Sequence, residues 1–194
     1  RTATFTAGTG NITMANLSDT IQTAGGALNF TSTSGGVTLG NLSTSGGAIT
    51  VNVGNTSTIS GTIAGTGTAF TKSGTGSLLL SGNNTYTGAT NLSAGSVIIG
   101  SNNAFGTGTV SIGTVSLSAN GAPVTVANTL SGTGNATFTG SSDISFTGAL
   151  TNTSSRTYTN NMTSLLSLGD INLSNSATSR TMTFTGTGST VVNG

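Results

Sequence analysis

The sequence predicts an all-β chain wound as a parallel β-helix, a β-solenoid of about eight or nine rungs. Three features lead there. Short apolar runs alternate with Thr and Ser at the two-residue period of a strand. Glycine-rich turns punctuate those runs at recurring intervals. Apolar residues at helical spacing are scarce, and Gly, Ser, Thr and Asn are poor residues for a helix interior.

The runs follow one another along the chain. "TATFT" sets Ala3 and Phe5 on one face and Thr2, Thr4 and Thr6 on the other. Gly25-Gly26 precedes "ALNF", Gly35-Gly36 precedes "VTL" and Gly46-Gly47 precedes "AITVNV", each a turn signal followed by alternating apolar residues. "SLLLS" points Leu78 and Leu80 inward, and "SVIIG" does the same with Val97 and Ile99. "TVSIGTVSL" continues with Val110, Ile112, Val115 and Leu117. Val124, Val126, Phe138, Ile144, Phe146, Ile171, Leu173, Met182 and Phe184 extend the series. "NNMTSLLSLG" around Leu165 is the one place where a helical turn is tempting, and it is assigned to strand or loop.

Echoes support a repeating architecture. "NNTYTG" at Asn83 returns as "NNAFGTG" at Asn102. "RTYT" at Arg156 returns as "RTMTFT" at Arg180, which also matches "RTATFT" at Arg1. Repeats of roughly ten residues and of about twice that are the mark of a solenoid. Coils of ~20–25 residues, each rising ~4.8 Å, make a rod of roughly 40 Å. A sandwich would join longer strands by hairpins. A transmembrane barrel would carry aromatic girdles, and aromatics are 5% of this chain.

The chain has 194 residues, enough for one domain with a sizeable core. Hydrophobic residues are 33%, mean hydropathy is +0.16 and net charge is +1, unlike the highly charged, weakly apolar composition of disordered chains. Charged residues are 4%, so hydroxyls and carboxamides must solvate the surface, and little charge repulsion separates copies. The cations are Arg1, Lys72, Arg156 and Arg180; the anions are Asp19, Asp143 and Asp170. Without Cys there are no disulfides. Apolar runs fall far short of the ~18 residues of a membrane helix, so no membrane insertion by this segment is expected. A start at Arg1 without a signal peptide reads as a processed or excised piece of a longer protein or polymer.

"TKSGTGSLLLSGNNTYTGATNLSAGSVIIGSNNAFGTGTV", residues 71–110, resembles the autotransporter-associated β-strand repeat of bacterial passenger domains. That family's pattern is a Lys-[Ser/Thr]-Gly-x-Gly turn, a leucine strand, Ser-Gly-x-Asn-Thr-Tyr-Thr-Gly, a small-residue strand and an Asn-Ala-[Leu/Phe]-Gly-x-Gly turn. Lys72, Gly74, Gly76, Leu78, Leu80, Gly82, Asn84, Thr85, Tyr86, Gly88 and Gly95 fit it, as do Asn103, Ala104, Phe105, Gly106 and Gly108. The resemblance implies a right-handed β-helix, export, and an extracellular or cell-surface location in a bacterium.

Little in the side chains points to reaction chemistry, and the chain is not expected to be an enzyme. Asp19, Asp143 and Asp170 are far apart, and without His no Ser-His-Asp triad can form. The Gly pairs lack the Asp of calcium-binding nonapeptides, so no metal is expected. "GTGTAFTKSGTG" lacks the Gly-Lys-[Ser/Thr] ending of a phosphate loop and reads as corner turns, so no cofactor is expected. Four cations cannot track a phosphate backbone, which speaks against nucleic acid. Asn-x-[Ser/Thr] triplets at Asn16, Asn29, Asn41 and Asn91 read as chance in so Asn- and Thr-rich a chain. Asn83 and Asn102 are candidates for a stacked amide ladder inside the solenoid. Tyr86 and Phe105 read as core or rim residues rather than a sugar platform.

Function is then expected to lie in the rod itself. A solenoid cut across its axis exposes unpaired strand edges, and neither end of this sequence reads as a polar cap. Assembly is assigned to the end strands, at Thr2, Thr4, Phe5, Thr183, Phe184, Val191 and Val192. The core is assigned to Leu78, Leu80, Val97, Ile99, Val110, Ile112, Phe138 and Phe146. The leading expectation is a self-associating subunit or module of an extracellular bacterial fibre or surface adhesin rod, a homo-oligomer or polymer joined end to end. Alternatives are a monomeric passenger stalk binding a host cell or surface polysaccharide, and an ice binder using outward Thr2, Thr4, Thr6 and Thr181, Thr183, Thr185. Thr is also an ordinary outward strand residue.

Overall fold

The computed structural model describes residues 1–15, 19–173 and 179–193. Strands pair in parallel with the strand one turn away, and nine turns stack into a β-solenoid. The first face is a nine-stranded sheet running from Ala3–Ala7 to Ile171–Asn172. The second is also nine-stranded, from Ile12–Met14 to Met182–Thr185. The third face is split into a three-stranded sheet, Thr20–Thr23 to Ile63–Ala64, and a four-stranded sheet, Val124–Val126 to Ser189–Val192. The described residues contain no helix, and "NNMTSLLSLG" supplies the strand Leu165–Leu168.

The period follows from the pairing. Leu28 sits beside Ile49, 21 residues on, and Phe70 beside Thr90, 20 residues on. A slip of one residue would turn every inward side chain outward, so small differences in turn length must be absorbed at the corners. The Gly pairs separate the two spacings seen in sequence. Gly25-Gly26 and Gly46-Gly47 mark one corner in consecutive turns, whereas Gly35-Gly36 marks the next corner of the same turn. Stacked corners need glycine: a Cβ at Gly47 would lie 2.0 Å from the Gly26 carbonyl oxygen one turn away.

Alternation produces one continuous core. Leu78, Leu80, Val97, Ile99, Val110, Ile112, Phe138 and Phe146 are all buried. In-register stacking of inward residues makes axial columns, such as Leu78–Val97–Leu117–Phe138 on the second face. Aromatic rings extend the columns, with Phe5 stacked on Phe30 at 5.1 Å and 8°.

Two echoes in the sequence do not translate into equivalent positions. "RTATFT" lies on the first face and "RTMTFT" on the second, at opposite ends of the rod. "RTYT" and "RTMTFT" do stack, but two residues out of step: Arg156 pairs with Met182 and Tyr158 with Phe184. Register follows the inward aromatic residue, because burial of the rings outweighs likeness of exposed residues. The two Thr-x-Thr segments therefore share no ladder. The outward row through Thr4 continues as Asn29, Thr50, Thr71, Asn91 and Ser111, a mixture of hydroxyls and amides.

Candidate functional site

The segment with the most specific sequence pattern has an unusual interior. One inward column of the first face runs Phe5, Phe30, Val51, Lys72, Leu92, Ile112, Gly132, Asn152. Lys72 is fully buried in it, its methylene stem filling the place of an aliphatic side chain. Its Nζ donates to the carbonyls of Ser73 (2.8 Å), Gly74 (3.0 Å) and Ala94 (3.1 Å), joining a corner of its own turn to the next turn. Desolvation pulls the ammonium pKa down to about 8. Sequence reasoning counted Lys72 among the ordinary cations. The missed signal was phase: in Phe70-Thr71-Lys72-Ser73, Lys72 occupies the inward position of the alternation.

Tyr86 and Phe105 fill the third side of two turns that form no strand there, and both are fully buried. Asn84 links three turns at this point. Its Oδ1 accepts from the Ile63 amide at 2.8 Å and its Nδ2 donates to the Ala104 carbonyl at 2.6 Å. The Tyr86 hydroxyl lies 2.5 Å from Thr90 Oγ1, whose own hydroxyl donates to the Phe105 carbonyl at 3.0 Å. Burial pushes the Tyr86 phenol pKa well above its ordinary value, with the Thr90 bond opposing. The expected amide ladder is corrected in both partner and place. Asn103, not Asn102, donates to Asn83, at 2.6 Å, and both residues are on the exposed surface. Asn102 instead accepts from the Thr125 amide at 2.8 Å. Outward placement costs these amides no desolvation, whereas the interior on this side is filled by the two aromatic rings.

The end turns form the second candidate site. Within the described residues, as strands, Ala3–Ala7 pairs only with Leu28–Ser32 and Ile12–Met14 only with Val37–Leu39. At the other end, as strands, Met182–Thr185 pairs only with Arg156–Asn160 and Ser189–Val192 only with Leu165–Leu168. The seven residues assigned to assembly divide by direction. Phe5, Phe184 and Val192 continue inward columns over Phe30, Tyr158 and Leu168. Phe5 and Phe184 are half-buried, and Val192 is 46% exposed. Thr2, Thr4, Thr183 and Val191 point out from the flanks, so they bring backbone edges rather than side chains to an end face.

The acids do not converge. The Asp143 carboxylate accepts from the Leu165 amide at 2.9 Å, at the corner entering the third face. Asp170 lies at the corner entering the first face, where its carbonyl accepts from the Leu150 amide. Asp19 lies at a third-face corner of the first turn. A surface hollow beside the first face is lined by Thr71, Asn91, Leu92, Ser93, Ser111 and Thr133. Asn29, Asn41 and Asn91 are half-exposed outward strand residues, and Asn16 lies outside the described residues.

Together these features define a parallel β-solenoid whose buried polar side chains bond mainly to its own backbone. Within it, residues 70–99 match the family model described as the passenger-associated-transport-repeat. That stretch holds Lys72, Asn84 and Tyr86, and it agrees with the repeat resemblance seen in the sequence. Searches of curated proteins and of solved structures found no match to the chain.

Proposed function

We propose that this chain is a structural, self-associating module of an extracellular bacterial fibre or cell-surface adhesin rod. The passenger-type repeat at residues 70–99 supports export to the surface. The geometry of the end turns supports association: among the described residues, strand edges unpaired on one side surround the inward Phe5 at one end and Phe184 and Val192 at the other. Such a face accepts another turn of the same shape, whether from a second copy or from further turns of a longer polypeptide. Head-to-tail contact of this kind makes an open filament. The working parts are main-chain edges and apolar columns, with no reaction centre, cofactor or metal in the proposal.

Negative-stain microscopy and sedimentation of the purified chain across a concentration series test it. Rods lengthening into filaments with concentration are expected. Phe184→Lys with Val192→Lys should leave single short rods, because charges would be buried between stacked turns without partners. Isolated rods of wild-type protein at the highest concentration would end the self-association reading.

A further inference from the structure

Asn is followed by Gly at Asn120 and at Asn193. The two asparagines are held differently. Asn193 Nδ2 donates to Ser167 Oγ at 2.6 Å. Asn120 occupies a corner between the strands Ser116–Ala119 and Val124–Val126, and residues 120–123 are all exposed. Its own amide donates to the Ile99 carbonyl at 3.0 Å, which anchors the backbone, while its side chain has no partner among the described residues. Gly121 has φ +75° and nothing within 4 Å of where a Cβ would stand. The Gly121 amide likewise makes no hydrogen bond within the described residues. A free carboxamide thus precedes an unhindered, uncommitted backbone amide in an open turn. Exposed loop tips of this kind tolerate backbone change.

We infer that Asn120–Gly121 is a self-modification site that converts to aspartate and isoaspartate. The Gly121 nitrogen, having lost its proton to base, attacks Cγ of Asn120. A new N–Cγ bond closes a cyclic succinimide as the Cγ–Nδ2 bond breaks, and the amide nitrogen departs as ammonia with the proton. Water then opens the ring at either carbonyl carbon, leaving a carboxylate and a restored backbone amide in the aspartate or isoaspartate linkage. The sum is hydrolysis of one carboxamide, with no electron transfer. Isoaspartate lengthens the main chain by a methylene, and the open corner has room for it. The formal net charge passes from +1 to zero.

The test incubates the folded 194-residue protein in mildly alkaline buffer at physiological temperature. Isoelectric focusing and electron-transfer peptide mapping follow the reaction. The expected result is one acidic band shifted by a single charge, with carboxamide loss at position 120 as fast as in a free peptide of the same turn. Asn120→Gln, with an unchanged circular-dichroism spectrum, should lose that band. Retention of the Asn120 amide in folded protein while the peptide loses its own would overturn the inference. So would an equal acidic band in Asn120→Gln, or conversion confined to Asn193.

Discussion

Gly132 continues the column that carries Lys72, and its missing side chain makes space for a neighbour. A Cβ there would stand 1.8 Å from Asn152 Oδ1 and 2.1 Å from the Tyr158 hydroxyl, which itself donates to Asn152 Oδ1 at 2.8 Å. Gly132→Ala must therefore push this buried pair apart, and overpacking of this kind costs about 1–3 kcal/mol. Urea denaturation should show that loss, with a smaller one when Tyr158→Phe is added, because the two sites share a contact. Lys72 gives a pH signature. Burial lowers its pKa from the ordinary 10.5 to about 8, so between those values the unfolded chain holds a proton that the native chain has released. Stability should rise with pH through that window, by roughly 3 kcal/mol at most, and Lys72→Met should flatten the rise. Tyr86 and Tyr158 work in the opposite direction: burial keeps both phenols protonated in the native state after the unfolded ones ionise near 10. The curve of urea midpoint against pH should therefore climb above pH 8 and turn down beyond about 10.

On the first and second faces each inner turn pairs in the same way above and below, so turns should be removable. Val110 pairs with Thr90 on one side and Leu130 on the other, in the same phase. Excising residues 110–129 would place Leu130 beside Thr90 with its inward side chains still inward. The shortened chain is expected to keep its β spectrum and melt at a lower temperature, as stability in stacked repeats adds up turn by turn. Excising only residues 110–119 should abolish folding, since it would feed the corner 120–123 and the third-face strand Val124–Val126 into the path of the first and second faces. This agrees with what the sequence made legible. Alternation identified the inward residues, from Ala3 and Phe5 to Met182 and Phe184, because a half-buried strand writes its phase into every second position. The interruption of the third face was not legible, because it depends on how Asn84 and Tyr86 bond across turns rather than on a pattern within one. The place of Lys72 was obscured by residue type: a charge on an inward position is normally too costly, and only the three carbonyls around its Nζ make it tolerable. At the ends, the residues singled out in the sequence lie on or beside Ala3–Ala7, Met182–Thr185 and Ser189–Val192 and leave out the end strands Ile12–Met14 and Ile171–Asn172; which side chains look along the axis is set by register with the turn beneath.

Across the whole molecule charge is sparse, and its distribution has a practical outcome. Trypsin cuts after Lys and Arg, and the chain has four such residues. Between Arg1 and Arg156 only Lys72 qualifies, and it is sealed inside the rod. A brief digest of the native protein should therefore leave one resistant fragment reaching to Arg180, since Arg156 lies within the paired strand Arg156–Asn160 whereas Arg180 stands outside any strand. Scission at Lys72 would appear only once the coil has been pried open at that turn. The lone interior lysine thus serves as a built-in reporter of breathing in the middle of the rod.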